Sequence, residues 1–368
     1  MKTLIPFVLS LLAAVASQNC QAASAWLIVA RSGHHELMYG NGSGLRSVLQ
    51  LGDRTVYGTS KKKIGVVSRD TLSSSTTLFI VDKATRKLSA SWPLDALPVS
   101  QLSGPSHDVV VNENFAYFVG MRSSNGGLSI EENQLGGAFE LIRVSLESGA
   151  IERFALPSEI SNPRIASVQG TPIVYDSIGA DAWKFDQNSR TLERLITERE
   201  LSLSADAAHV DSAGAGARSA GYLFLSTSGV YRLAESGKIT RLLDEKLMRD
   251  GFAKVPTQSG DSDGDAVALF PATTDGRSLI GVLRKHRERN EVVLLDPSSE
   301  KAIFRLQVPS GIVRESIASA PDGSLVYVDA NTGAVVQNSL SGESRELWQL
   351  KQEIPDASVH LARVVEAL

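Results

Sequence analysis

One unit of sequence recurs along the chain: a short apolar segment, a polar turn rich in Asp, Asn, Ser and Gly, and a strand with alternating apolar residues. Short apolar runs between turn residues are typical of β-strands, and with only short helix candidates between them neighbouring strands pair antiparallel. The repeat therefore favours an all-β repeat architecture. Its seven copies lie at 36–44, 78–87, 140–149, 182–190, 229–237, 292–300 and 334–342.

The spacing of the copies, roughly 40 to 60 residues, matches propeller blades of four strands with loops of variable length. Two β-sandwiches in tandem would also supply many short strands, but they would not repeat one turn at this spacing. We therefore predict an all-β, seven-bladed β-propeller that forms a single domain over 26–368. Helices are expected only as short segments at 198–203, 244–250 and 346–353.

The two ends of this region complement each other. Residues 26–31 have the pattern of a second strand, so the first blade lacks its own first strand. Residues 358–366 form a spare apolar strand with nothing after it to pair with. Because open sheet edges are costly, we predict that the C-terminal strand joins the first blade and closes the ring.

Four segments carry a family resemblance: 78–85, 104–111, 270–276 (Phe-Pro-Ala-Thr-Thr-Asp-Gly) and 318–324 (Ala-Ser-Ala-Pro-Asp-Gly-Ser). With them the chain resembles the YVTN and quinoprotein amine dehydrogenase β-chain-like propellers, in which a Pro-Asp-Gly turn joins the first two strands of a blade. The resemblance covers nearly the whole region after residue 25, although no unit has the full Tyr-Val-Thr-Asn signature. It implies a fold and an exported location, and it assigns no catalytic residue.

Residues 1–25 have the layout of a secretory signal peptide. Lys2 precedes an apolar run at 4–16, which is too short to span a bilayer, and small residues follow at 22–25. We predict cleavage after Ala25, with Ala22 as the alternative. The expected location is therefore the periplasm or the medium.

Cys20 is the only cysteine of the chain. The polar residues 17–19 before it do not fit a lipid-attachment sequence, so no lipid anchor is predicted. A chain cleaved after Ala25 has no thiol with which to form a disulfide or a thiolate metal site.

Charge and hydropathy limit the partners. The formal net charge is −4, and this mild acidity argues against a nucleic-acid binder. No apolar run after the leader reaches about 18 residues, so no membrane span is predicted. The basic runs 61–63 and 284–289 are interpreted as solvated hairpins, with an anionic partner as the alternative. The expected partner is a protein or small-molecule ligand on one propeller face.

In propellers, ligands usually bind on the axis, at the loops that lead into the innermost strands. The predicted ligand-binding residues near that mouth are His107, Asp108, Arg164, His209, Arg314 and Glu315. We expect four further residues to lie near it: Arg54, Asp211, Asp263 and Asp265. Histidines and carboxylates that converge there suit metal binding or acid–base chemistry. The alternative is that they are solvated or hydrogen-bonded loop residues.

The sharpest local motif is Asp261, Asp263 and Asp265, three carboxylates at alternate positions that can offer oxygens to Ca²⁺. The match is partial, because Ala266 and Ala272 stand where a calcium loop has Gly and Glu. Ca²⁺ is the only candidate cofactor, and a solvated acidic turn is the alternative.

Two further motifs have simpler interpretations. His34 and His35 are neighbours on a predicted strand and should point to opposite faces, which disfavours a shared metal. The triplet 41–43 (Asn-Gly-Ser) fits N-glycosylation, but an Asn-Gly hairpin turn is preferred.

The chain contains none of the common nucleotide, hydrolase, zinc-protease or haem-attachment motifs. The first functional hypothesis is therefore a binding or scaffold propeller. The alternatives are a non-catalytic subunit of a periplasmic quinoprotein-type redox enzyme and a metal-dependent lactonase- or lyase-type propeller enzyme.

Overall fold

The computed structural model describes residues 24–98, 105–122, 139–161, 163–168, 171–176, 182–196, 222–226, 229–233, 239–244, 266–274, 277–285, 290–296 and 301–368. These residues form an all-β architecture. The predicted signal peptide lies almost wholly outside them. None of the helices within these ranges is long and apolar enough to cross a membrane.

Sheets 1 to 3 are built from the first twelve strands. These are β1 Ala25–Arg31, β2 His34–Asn41, β3 Gly44–Leu51, β4 Arg54–Thr59, β5 Lys63–Asp70, β6 Ser75–Asp82, β7 Lys87–Leu94, β8 Ala96–Pro98, β9 Val109–Val111, β10 Phe115–Arg122, β11 Phe139–Ser145 and β12 Ile151–Ala155. Sheet 1 takes β1 to β3, sheet 2 takes β4 to β7, and sheet 3 takes β8 to β12.

Sheets 4 to 7 follow in chain order. Sheet 4 contains β13 Pro163–Val168, β14 Thr171–Asp176, β15 Ala182–Asp186 and β16 Thr191–Ile196, and sheet 5 contains β17 Tyr222–Ser226, β18 Gly229–Leu233 and β19 Ile239–Asp244. Sheet 6 contains β20 Ala266–Thr274, β21 Arg277–Lys285, β22 Asn290–Asp296 and β23 Lys301–Val308, and sheet 7 contains β24 Ile312–Ser319, β25 Leu325–Asp329, β26 Ala334–Asn338 and β27 Ser344–Gln349. The helix α1 spans Leu350–Glu353, and β28 spans Ala357–Ala367. Apart from Ser106, which bridges Val56 in parallel, strand pairing in the described residues is antiparallel.

The last strand of the chain belongs to the first sheet. β28 pairs antiparallel with β1, with Ala25 opposite Ala367 and Ile28 opposite Arg363. The register shifts twice along this pair, and the backbone N–H of Leu368 extends it by donating to the carbonyl of Ser24 at 2.8 Å. Sheet 1 therefore has the order β28-β1-β2-β3 and joins both ends of the described chain.

The recurring turn of the sequence has one backbone geometry in three sheets. The N–H groups of Arg86, Gly149 and Arg190 each donate to the carbonyl four residues earlier, at 2.9 Å. Each of these residues has a positive φ, between 58° and 73°, which closes the hairpin. The Pro-Asp-Gly turn between β24 and β25 likewise closes on Gly323 (φ 86°), whose N–H donates to Ala320 at 2.9 Å. The turn predicted between the first two strands of a blade is therefore present here.

The predicted helix at 346–353 is wrong over its first half, because 346–349 belong to β27 and only 350–353 are helical. Trp348 explains this, because its indole is buried and donates to the carbonyl of Asn41 at 3.1 Å. The side-chain Oδ1 of Asn41 accepts a hydrogen bond from the backbone N–H of Ser43 at 2.9 Å, so the 41–43 triplet forms the predicted hairpin turn.

The hydrophobic core lies between successive sheets. One cluster joins sheets 1 and 2 around Trp26 and Tyr57, the next joins sheets 2 and 3 around Val67 and Phe118, and a third joins sheets 3 and 4. Two further clusters join sheet 6 to sheet 7 and sheet 7 to sheet 1. Because a sheet such as sheet 1 is covered on both faces, β1 is buried along nearly its whole length.

Two facing glycines bring sheets 2 and 3 into contact. Gly58 of β4 is paired with Gly65 of β5. A Cβ at Gly58 would lie 1.7 Å from the carbonyl oxygen of Val109, and one at Gly65 would lie 2.4 Å from a methyl carbon of Val111. The first strands of the two sheets therefore touch backbone to backbone at Gly58.

This contact predicts unequal costs for the two glycines. Gly58→Ala should lower the free energy of unfolding by about 3 kcal/mol, because a backbone atom must move, whereas Gly65→Ala should cost about 1 kcal/mol, since a valine side chain can shift. Urea denaturation of the two variants measures the difference. Equal losses would show that the β4–β9 approach is not tight.

A buried polar cluster lies where sheet 1 meets sheet 2. His35 is 4% exposed, and its Nδ1 lies 2.9 Å from Thr55 Oγ1, which is 3.4 Å from Ser68 Oγ. Burial lowers the pKa of His35 to about 4, with Asp53 raising it and Arg363 and His34 lowering it. His34 instead lies 3.4 Å from Glu36, so the two histidines point apart, as predicted.

His35 predicts a specific acid sensitivity. Its pKa in the folded protein, about 4 against 6.5, means that the unfolded chain binds the proton more tightly, so stability falls as the pH drops from about 6.5 to about 4. Between pH 7 and pH 4.5 the wild type should lose about 2 kcal/mol more than His35→Gln, which cannot titrate. Urea denaturation at the two pH values measures this, and identical losses would contradict it.

Candidate functional site

The segment 105–108 connects three neighbouring sheets. β8 and β9 both pair with the same side of β10, and this segment leads directly into β9. Ser106 bridges Val56 of β4 in parallel, because the N–H of Tyr57 donates to the Ser106 carbonyl at 2.8 Å and the N–H of Ser106 donates to Thr55 at 3.3 Å. The segment is thereby fixed against the first strand of sheet 2.

Asp108 extends this connection to sheet 4. Its carboxylate accepts from Ser106 Oγ at 2.7 Å and from Arg164 Nε at 2.6 Å. The Asp108 side chain is 6% exposed and that of Arg164 18% exposed, so the ion pair is largely desolvated. Arg164 lies at the start of β13, and the pair therefore joins the first strands of two sheets.

His107 lies against Tyr57. The two rings meet edge to face with centroids 5.3 Å apart. Burial lowers the pKa of His107, with Asp108 and its own backbone raising it and Arg164 lowering it. The imidazole is therefore neutral at pH 7, with one ring nitrogen as donor and the other as acceptor.

Three of the six predicted ligand-binding residues, His107, Asp108 and Arg164, thus come together, and we call them with Ser106 and Tyr57 the junction cluster. The cluster has no net charge, since Asp108 and Arg164 offset each other and the imidazole is neutral. Tyr57, Ser106 and Asp108 are buried, so the half-buried His107 and Arg164 are the members that can offer hydrogen bonds to a ligand. General acid–base work by His107 near neutrality is disfavoured by its lowered pKa.

Three of the remaining predicted residues, Arg54, Arg314 and Glu315, lie in described strands. Arg54 begins β4 and is exposed. Burial raises the pKa of the neighbouring Asp53, but the hydrogen bonds from Thr71 and the charge of Arg54 outweigh this and lower that pKa below its ordinary value. Arg314 and Glu315 lie in β24, between the paired positions Ile312 and Ile317 where the register is irregular. The structure does not describe 197–221 or 245–265, which contain His209, Asp211, Asp261, Asp263 and Asp265.

The described part of the chain contains no group of three or more His, Cys, Asp or Glu side chains placed to hold a metal ion. The predicted calcium motif falls outside that part, so it stays a prediction.

Ser106 and Tyr57 were not predicted. Alternation along β4 places Thr55 and Tyr57 on one face, and this was the available signal for Tyr57. Nothing in the sequence indicated that Ser106 would pair with a strand some fifty positions earlier.

No family model and no curated protein matches the sequence. Among solved structures, an acylaminoacyl peptidase from Pyrococcus horikoshii is 12% identical with a TM-score of 0.54, and the match covers 91% of this chain and 52% of that one. The chain therefore spans about half of that peptidase. Virginiamycin B lyase from Staphylococcus aureus, solved with quinupristin, is 12% identical over 80% of this chain and 83% of that chain, with a TM-score of 0.48.

A third match, the dihydro-heme d1 dehydrogenase NirN, is 13% identical, covers 90% of this chain and 76% of that chain, and has a TM-score of 0.43. At such low identity these likenesses concern the fold alone. The peptidase, whose TM-score exceeds 0.5, contains a β-propeller, and the predicted fold-level resemblance to β-propellers is confirmed.

The Asp108–Arg164 pair makes a testable contribution to stability. Asp108→Asn should cost about 3 kcal/mol of unfolding free energy, because the Arg164 charge then stays buried without its carboxylate. Adding Arg164→Met to Asp108→Asn should recover part of this loss. A double-mutant cycle measured by urea denaturation gives the coupling, and additive losses would show that the two side chains act independently.

Proposed function

We propose that the chain is an exported, seven-bladed β-propeller that acts as a binding module, with the junction cluster as its ligand site. The ring is supported by the order of contacts among the first strands of the sheets, which runs β28, β4, β9, β13, β17, β20, β24 and back to β28. The antiparallel pairing of β28 with β1 supplies sheet 1 with its first strand. The hydrophobic clusters between successive sheets are in keeping with packed blades.

The observation that carries the binding role is the junction cluster itself. Three neighbouring first strands contribute to it, and its rigid backbone ladder at Ser106 fixes the direction of His107 and Asp108. A rigid scaffold that presents donors and acceptors is what a selective binding site requires. In a seven-bladed ring these residues would lie at the mouth of the axial channel.

The chemistry of the cluster favours an uncharged polar ligand. A charged ligand would lose the favourable free energy of its hydration, and it would find no uncompensated opposite charge there, because Asp108 and Arg164 already neutralise each other. A neutral amide or hydroxyl group, in contrast, matches a neutral imidazole that both donates and accepts.

Export rests on the signal-peptide pattern of residues 1–25 and makes the periplasm or the medium the proposed location. N-terminal sequencing of the protein from the periplasmic fraction should begin at Trp26, or at Ala23 for the alternative cleavage site. The redox-subunit and metal-enzyme alternatives stay open, and no observation in the described residues favours either over a binding module.

A thermal-shift screen tests the binding role. The full chain at pH 7 is incubated with N-acetyl amino-acid amides and neutral monosaccharides, and the melting temperature is recorded. Compounds that bind the junction cluster should raise the melting temperature of the wild type, since a ligand of the native state stabilises it, and should lose this effect on His107→Ala.

The matched control is His34→Ala, which removes an imidazole that lies outside the cluster and contacts Glu36. It should respond to the same compounds as the wild type. Compounds that stabilise His107→Ala as strongly as the wild type would place the binding site elsewhere and contradict the proposal.

A further inference from the structure

Sheet 2 carries a basic surface at the end opposite to the junction cluster. The cluster lies beside residues 55–57 of β4 and at the start of β9. The turn 60–63 follows the end of β4, and the turn 83–86 between β6 and β7 lies at that same end. Six cationic side chains are concentrated on these two turns, and we call them the lysine edge: Lys61, Lys62, Lys63, Lys83, Arg86 and Lys87.

The two turns are hydrogen-bonded into one unit. The N–H of Ser60 donates to the Lys63 carbonyl at 2.8 Å, and the N–H of Lys63 donates to Ser60 Oγ at 3.1 Å. The N–H of Lys83 donates to the Lys62 carbonyl at 3.0 Å and joins the two turns. The backbone that presents the cations is therefore pre-organised, which reduces the entropy cost of binding.

Three of the six side chains are anchored to neighbouring sheets. Lys63 Nζ donates to the carbonyl of Glu113 at 3.2 Å, and the Arg86 guanidinium lies 4.2 Å from the ring centroid of Tyr39. Lys83 pairs with Glu366 of β28. The edge is thus tied to sheets 1 and 3 and does not move independently of them.

The other three cations face solvent. Lys61, Lys62 and Lys87 are exposed, and none of them forms an ion pair with a described residue. Six cations here stand against the carboxylates of Asp82 and Glu366, in a chain whose formal net charge is −4. A local positive excess on an acidic protein attracts an anionic partner.

The surroundings of the edge decide what kind of anion fits. Glu113 and Glu147 are exposed on the turns that follow β9 and β11, at the same end of the adjacent sheet 3. An extended anionic plane such as a lipid bilayer would meet these carboxylates together with the lysines. A single extended acidic peptide segment is narrow enough to contact the lysines without lying over the carboxylates of sheet 3. We therefore propose that the lysine edge binds an acidic segment of a partner protein.

Fluorescence anisotropy with a fluorescein-labelled deca-glutamate peptide tests this proposal on the full chain at low ionic strength. The wild type should bind, and the Kd should rise with added salt. Lys61→Glu with Lys62→Glu should weaken binding by about tenfold or more, because these two exposed charges turn repulsive. Lys87→Glu alone should weaken it by a smaller factor.

The matched control is Arg345→Glu with Lys351→Glu, which changes the net charge equally at two exposed positions of sheet 7 and α1. It should bind the peptide within about twofold of the wild type, because neither position lies in sheet 2. Equal losses in both double variants, or no binding of the peptide to the wild type, would overturn the proposal. Tighter binding to vesicles of one part phosphatidylglycerol to three parts phosphatidylcholine would also overturn it, in favour of a membrane.

Discussion

The site of this protein depends on a backbone contact that only glycine allows. At Gly58 the first strand of sheet 2 lies so close to Val109 that a single added carbon would collide with a carbonyl oxygen. That contact sets β9 against β4 and lets Ser106 hydrogen-bond to the strand beside it. Asp108 is thereby directed at Arg164 and His107 at Tyr57, so the junction cluster follows from the packing of the sheets.

Between the sheets, apolar clusters form the core, and polar pairs lie at the ends of the contact between sheets 1 and 2. His35 and Thr55 join sheets 1 and 2 at one end, and Lys83 and Glu366 join them at the other. Such pairs add little net stability, but they penalise wrong registers, because each buried polar group needs its own partner. Sheet 1, which contains both β1 and β28, is held to its neighbour in this way.

Much of the architecture could be predicted from the sequence because it is local and repeated. The recurring turn is set by Asp or Ser at its start and by a residue with positive φ at its end, and such chemistry is visible in one sequence. His107, Asp108 and Arg164 could be singled out because they lie just before or at the start of first strands. Tyr57, Ser106 and Gly58 were missed, since their roles arise only when two distant strands meet. The helix expected at 346–353 failed at Trp348 for the same reason, as a partner in another sheet outweighed local propensity.

The account rests on the chain forming a ring whose last strand completes the first sheet. Ala25 and Ala367 lie opposite each other beside the Ser24–Leu368 hydrogen bond, at a non-hydrogen-bonded pair where side chains approach closely. Ala25→Cys with Ala367→Cys, in a Cys20→Ser background and in the full chain purified without export so that Ala25 is retained, should form a disulfide on air oxidation. Closing so long a loop should raise the unfolding free energy by up to about 5 kcal/mol relative to the reduced form. If the two thiols stay free in the folded protein, or the bond brings no gain in stability, the ring is contradicted.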